Sequence, residues 1–402
     1  MCSKELVAQT HNDILFSLSD MYRLGGLDSV NSTRMSINHK TLAETRVNLG
    51  FSLDAAAKKI GVKSLVLASW ESGEKKPTYI QLIKASRTYG LPSAYFFGDN
   101  VYEEEQPPDF RSFPDILQRQ IPEIRLEIRY ARERRETAIE LLSELDEDIP
   151  YLEIPALKNS ESLTKVIRDV LGIQVDTQMK WSNPYEALNK WCLSFEKAGI
   201  IVFQFSGIDV DTMRGFCLNE RPLPVIGLNI KDSPHARIFT LFHELRHLIS
   251  REEGICDLHD SGHEKLCNEF AGEFLVPGQD LLRIRTVRTH TGVTWETSEL
   301  NELSRIFSVS QEVILRRLLS LGLTTKSFYQ RFRVALVEKS RRPSSRGYMP
   351  YTMRLLKENG TFFTNLLVSS YDVGVISSID VSSSIRGAKV EYLEKLRKMI
   401  RE

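Results

Sequence analysis

The sequence predicts a mainly α-helical chain with a small antiparallel sheet, an α+β protein, on three observations. Across residues 41–97 apolar side chains fall into short helical runs broken by glycine turns. Across 121–145 they recur at helical spacing through a heavily charged stretch. Three short β-like runs, 200–203, 214–218 and 225–230, sit between helical patterns. The 402 residues suit two or three domains, and 53 basic against 53 acidic side chains exclude a global field that would draw the chain onto nucleic acid or anionic lipid. Apolar stretches fall short of the roughly 20 residues that cross a bilayer, and the start lacks a basic leader with an apolar core, so a cytoplasmic location is expected. Five cysteines (Cys2, Cys192, Cys217, Cys256, Cys267), never spaced C-x-x-C, argue against a disulfide framework and a thiolate zinc site.

Taken in order, residues 1–35 carry a weak apolar pattern ending at Gly25-Gly26, read as an N-terminal helical extension. In 36–100 one helix ends at Gly50, the next starts at Ser52 and ends at Gly61, a third ends at Gly73, and Pro77-Thr78 opens a fourth that runs to Tyr89-Gly90. Residues 102–118 are acidic and then proline-rich, a boundary signature, so 101–150 reads as a linker and a connecting helix with one buried stripe. Residues 151–330 form the largest unit, with a helix near 183–197 before the β-like runs. The region 331–402 is basic around Arg341-Arg342-Pro343 and again helical.

Chemistry concentrates at His243-Glu244-Leu245-Arg246-His247, an H-E-x-x-H sequence. Two histidines four apart on a helix lie one turn apart on nearly one face, so both imidazoles reach one cation. The helix itself is encoded nearby: Ser233 caps it, Pro234 suits its first position, and Ile238, Phe242, Leu245 and Ile249 give an apolar stripe facing away from the metal. Glu244, beside the first ligand, is placed to accept a proton from a water that the cation acidifies. A third ligand is needed. The helical pattern from Ser261 to Pro277 puts Glu264 on its first turn, where it closes a His-His-Glu set, and Asn268 follows one turn later, positioned to orient the Glu264 carboxylate. Ser261-x-x-Glu264 is also a capping box, and His259 and His263 are competing ligands.

The runs RIFTLFHELRHLI and EKLCNEFAGEFLVP, with GIIVFQF, MRGFCL and PVIGLNIKDSPHARIF ahead of them, resemble the ImmA/IrrE group of gluzincin-like metallopeptidases over about residues 180–280. The resemblance implies zinc held by His243, His247 and Glu264, with Glu244 as the base. The chain departs from the family at Arg246, where a small residue is usual and where a long side chain borders the metal face. LAETRVNLGFSLDAAAKKIGVKSLVLASWESGEKKPTYIQLIKASRTYGLP resembles an Xre-type helix-turn-helix, with a departure at Leu53, where the family carries Gln. Nine basic against five acidic residues in 35–100 favour phosphate contact. The DNA-binding candidates are Lys63, Ser64, Leu65, Ser69, Lys75 and Lys76. The groove-facing set Ser64, Leu65, Ala68 and Ser69 holds no Arg, Asn or Gln for bidentate base contacts, so either specificity is low or Leu65 and Val66 face a protein. A small helical bundle used for dimerisation is the structural alternative.

The order of domains also resembles the long regulator members of this family. The expectation is a Zn2+-dependent endopeptidase and transcriptional regulator that cleaves a repressor or antitoxin in a stress or phage and mobile-element response, with DNA bound through 36–100, no membrane partner, and a homodimer allowed. The alternative is a non-catalytic DNA-binding regulator or antitoxin-like protein whose peptidase-like domain senses a signal or docks a partner.

Overall fold

A computed structural model describes residues 33–98, 122–151, 160–252, 261–340, 349–386 and 388–401. The expectations for residues 1–32, for 102–118, for Cys2, Cys256 and His259, and for 341–343 lie outside the described residues. The chain divides into two compact units, 1–130 and 131–402. The division falls within the connecting helix.

In the first unit, α1 (His39–Asn48), α2 (Leu53–Ile60), α3 (Ser64–Glu71) and α4 (Tyr79–Tyr89) are followed by a 3-10 turn, Ser93–Phe97. Their ends are set where the sequence predicts. The Ser52 side chain accepts from the Ala55 amide, α2 stops at Gly61 with φ 81°, Thr78 and Gln81 form a capping box, and α4 stops at Gly90. Leu42, Leu49, Phe51, Ile60, Leu67, Trp70, Leu82, Tyr89 and Phe96 fill the core. Each such large side chain contributes about 1.5–3 kcal/mol on burial. Arg46 pairs with Glu71 through two bonds of 2.7 and 3.0 Å, tying α1 to α3. The first part of α5 (Pro122–Glu144) belongs here, with Arg129 donating to the Tyr89 carbonyl at 2.8 Å.

In the second unit, Ala131, Ala138, Leu141 and Leu142 of α5 are buried, as its stripe predicts. There follow α6 (Ser160–Leu171), the single turn α7 (Val175–Gln178), α8 (Pro184–Lys197), β1 (Ile201–Phe205), β2 (Gly215–Leu218), β3 (Val225–Asn229), α9 (Pro234–Glu252) and α10 (Ser261–Leu275). The short α11 (Gly278–Arg283) and α12 (Arg285–Thr289) lead to α13 (Thr297–Phe307), α14 (Gln311–Ser320) and α15 (Lys326–Ser340). The C-terminal region comprises α16 (Tyr351–Asn359), α17 (Thr361–Asp372), α18 (Ser378–Ser384) and α19 (Leu393–Arg401).

The sheet corrects the antiparallel expectation. Its order is β1-β3-β2, with β1 and β3 parallel (Val202 beside Ile226) and only β2 and β3 antiparallel (Phe216 opposite Gly227). Every residue of β1 and β3 is buried, which removes the in-out alternation that marks a half-exposed antiparallel strand. One face receives α8 and α9. Trp191 of α8 meets Phe242 of α9 edge-on at 4.8 Å, and Phe242 stacks on Phe274 of α10 at 4.3 Å. This aromatic seam fixes α9 against α10 by their buried sides.

Candidate metal centre

Helix α9 forms as the sequence predicts: Ser233 Oγ accepts from the Ala236 amide at 3.2 Å and Pro234 takes the first position. Ile238, Phe242, Leu245 and Ile249 are each at most 1% exposed, so the helix cannot rotate without exposing its apolar stripe. That rotation aims His243 and His247 at α10. The two Nε2 atoms are 3.0 Å apart, and Glu264 completes a triangle, with its oxygens 3.3 Å from His243 Nε2 and 3.3 Å from His247 Nε2. Among the described residues this is the group of histidine, cysteine and acidic side chains able to hold a metal ion.

The triangle has a metric meaning. Zinc bonds of about 2.0–2.1 Å at tetrahedral angles separate neighbouring ligand atoms by roughly 3.3–3.4 Å. The two nitrogens, 3.0 Å apart, match that value to within a few tenths of an ångström, and each lies 3.3 Å from a different oxygen of Glu264, so two imidazoles and one carboxylate converge with room left for substrate or water. The donors fit the ion. The side chains of His243 and His247 are 16% and 6% exposed, whereas that of Glu264 is 53% exposed, so the centre is open on the α10 side.

The electrostatics agree with a charged carboxylate facing two rings. Hydrogen bonds from His243 and then His247 hold Glu264 well below the usual carboxylate range, against the opposing effect of its partial burial. Burial pulls the His243 imidazolium down, but the Glu264 hydrogen bond, the charges of Glu244 and Glu264, and Asn268 outweigh it and raise His243 above its ordinary value. Both Glu264 oxygens face the imidazoles; the Ser261 side chain, the other half of the capping box, lies outside the described residues. The side chain of His263 lies outside the described residues.

Other site residues stand differently from the sequence expectation. The Asn268 amide donates to the backbone carbonyl of Glu264 at 2.8 Å and bonds His243, so it steadies the helix turn and an imidazole and does not orient the carboxylate. Glu244 is 6% exposed. It packs beside Gly215 of β2, where a Cβ would stand 3.6 Å from Glu244 Cγ and overlap Thr240 Cγ2. A lone glycine in a strand gives little warning of this close approach. Arg246 is partly buried, with Nη1 closed off from solvent, so the protein holds this side chain in place.

In the first unit, Lys63, Lys75 and Lys76 are exposed, and Leu65 is 83% exposed on α3. The Ser64 hydroxyl bonds Asp54 of α2. Ser69 is a correction: it is 8% exposed, beside the buried Leu67 and Trp70, and its hydroxyl donates to the Val66 carbonyl at 2.7 Å, so it faces the helix and core instead of a groove.

A peptidase M78 family model, described as IrrE N-terminal-like domain, matches residues 195–319, and a helix-turn-helix model matches residues 42–96. The chain carries both domains. No curated protein and no solved structure matches it. The IrrE-like domain runs from the end of α8 through α14 and contains His243, Glu244, His247 and Glu264. The helix-turn-helix domain covers α1 to α4 and the 3-10 turn, and no described helix is long and apolar enough to cross a membrane.

Proposed function

We propose that this protein is a zinc-dependent endopeptidase joined to a DNA-binding regulatory domain, and that it cleaves a repressor or antitoxin protein in a stress or mobile-element response. The observation that carries this reading is the convergence of His243, His247 and Glu264, whose imidazole nitrogens stand 3.0 Å apart and each 3.3 Å from a carboxylate oxygen. Zinc, when bound there, supplies Lewis acidity that polarises a scissile carbonyl and lowers the pKa of water. The chain supplies the rest. His243 and His247 hold the ion from a helix pinned by its apolar stripe, and Glu264 contributes one negative charge from α10. Glu244, adjacent to His243, accepts the proton of the attacking water and returns it to the leaving amine. Burial of Glu244 against β2 fixes its position, which matters because a general base works only within hydrogen-bond reach of its proton.

The helix-turn-helix domain supports DNA binding through phosphate contacts by Lys63, Lys75 and Lys76. With Leu65 at the front of α3 and no bidentate base-reading side chain in the set, low sequence discrimination follows. The deciding experiment incubates zinc-loaded protein with repressors encoded beside its gene, in parallel with a Glu244→Gln variant. Cleavage by the native chain and none by the variant is expected. Undiminished cleavage by the variant, or none by the native chain, removes the peptidase reading and leaves a regulator whose IrrE-like domain senses or docks.

A further inference from the structure

The outward face of α3 is set by what its other side chains already do. Helix α2 ends at Ile60, Gly61 turns the chain at φ 81°, and Ser64 then opens α3, the arrangement of a helix-turn-helix whose second helix enters a groove. Leu67 and Trp70, each at most 1% exposed, hold one side of α3 against the core. At about 100° per residue Leu65 points roughly 170° away from their mean direction, and it is 83% exposed. Val66 beside it packs against the core. The polar side chains of α3 are engaged within the domain: the Ser64 hydroxyl bonds Asp54, the Ser69 hydroxyl donates to the Val66 carbonyl, and Glu71 accepts from Arg46. What α3 presents outward is Leu65, with the partly exposed Ala68 one turn later.

A single leucine held out in water among cations does not suit a protein partner. Lys63 stands immediately before α3, Lys75 and Lys76 follow shortly after it, and all three are exposed. Lysine is depleted at protein–protein interfaces, and one apolar side chain is far below the area that a stable complex buries. The same cations suit the phosphates that border a DNA groove. Leucine cannot hydrogen-bond a base edge, but it can cover the apolar group that the major groove displays, the C5 methyl of thymine.

We propose, resting on the DNA-binding reading above, that Leu65 is a specificity-determining residue that packs on a thymine C5 methyl in the major groove, with Ala68 alongside it. Lys63, Lys75 and Lys76 then supply affinity that is blind to sequence, and Leu65 supplies the discrimination by shape and desolvation instead of by hydrogen bonds. The preference is correspondingly small: covering one methyl group changes affinity about four-fold. A 5-methylcytosine offers the same group at the same edge of the major groove, so the domain follows the methyl and not the identity of the base. The site does not depend on the peptidase reading.

The test measures binding of the full-length protein, by fluorescence anisotropy at low salt, to short duplexes of alternating A-T, A-U, G-C and G with 5-methylcytosine. The native chain is expected to bind the A-T duplex about four-fold tighter than A-U, and the methylated G-C duplex tighter than the unmethylated one in the same proportion. Leu65→Ala brings both ratios close to one, and because Leu65 lies outside the core the variant keeps the native thermal midpoint. Lys75→Gln weakens binding to every duplex alike and leaves the ratios standing. Native binding that ignores the methyl, or ratios that survive Leu65→Ala, overturns the assignment while DNA binding itself stands. A Leu65→Ala chain that keeps its ratios and loses self-association in sedimentation also overturns it and makes Leu65 a protein contact. Absence of binding to every duplex removes the DNA-binding reading, and the assignment falls with it.

Discussion

Replacing Glu196 by Gln separates a buried charge from the shape that carries it. Glu196 is 6% exposed, and burial raises its pKa to about 8, partly offset by bonds from the Phe362 and Thr361 amides at the start of α17. Its ordinary value is 4.5. The folded protein therefore keeps this proton to higher pH than the unfolded chain, so folding takes up a proton in the window from about 4.5 to 8 and stability falls as pH rises through it. A difference of roughly 3.5 pK units corresponds to a ceiling of about 5 kcal/mol, of which about 4 kcal/mol is lost between pH 5 and pH 9. Gln keeps the acceptor oxygen but cannot ionise. It leaves its own N–H groups short of partners, a cost of about 1–3 kcal/mol that is nearly independent of pH. Urea unfolding of both proteins at pH 5 and pH 9, followed through the buried Trp181 and Trp191, reads the difference. The variant is expected to be the less stable at pH 5 and to gain on the native protein by about 4 kcal/mol at pH 9. Equal changes with pH in the two proteins would refute the argument, since Glu196 would then titrate alike in both states.

Three further outcomes are expected. Glu264→Ala lowers zinc affinity by more than the 10- to 100-fold typical of losing a supporting contact, because a direct ligand is removed, and isothermal titration against a competing chelator measures it. Gly215→Ala sets a methyl group into Thr240 and costs about 1–3 kcal/mol in denaturant unfolding. Thr240→Ser, which removes the obstructing methyl, returns most of that loss in the double variant, whereas additive losses would mean the clash is absorbed elsewhere. Lys75→Gln with Lys76→Gln reduces the salt dependence of DNA binding by a slope of about 0.9 for each lost phosphate contact, measured by band shift over a salt series.

The elements of both domains were legible wherever local chemistry sets them. Ser52, Gly61, Thr78, Gly90, Ser233 and Pro234 end or start helices in the structure as their residue types demand. The spacing of His243 and His247 also carried through, because a helix converts four residues into one face without help from distant chain. What failed needed tertiary knowledge. Position along α3 alone makes Ser69 groove-facing, but Leu67 and Trp70 turn that side inward. The pairing of β1 with β3 depends on which edge β2 occupies, and three short buried runs carry no mark of it.

The uneven exposure around the triangle sets a direction of traffic. Two imidazoles close the floor, and under the proposed zinc binding the half-open Glu264 side is where an incoming cation, or a reagent that strips one away, makes its first contact. Removal by a strong chelator therefore accelerates with chelator concentration at temperatures where the fold stays intact, instead of waiting for global opening of the domain. Exchange kinetics at this centre then report on the α10 flank itself.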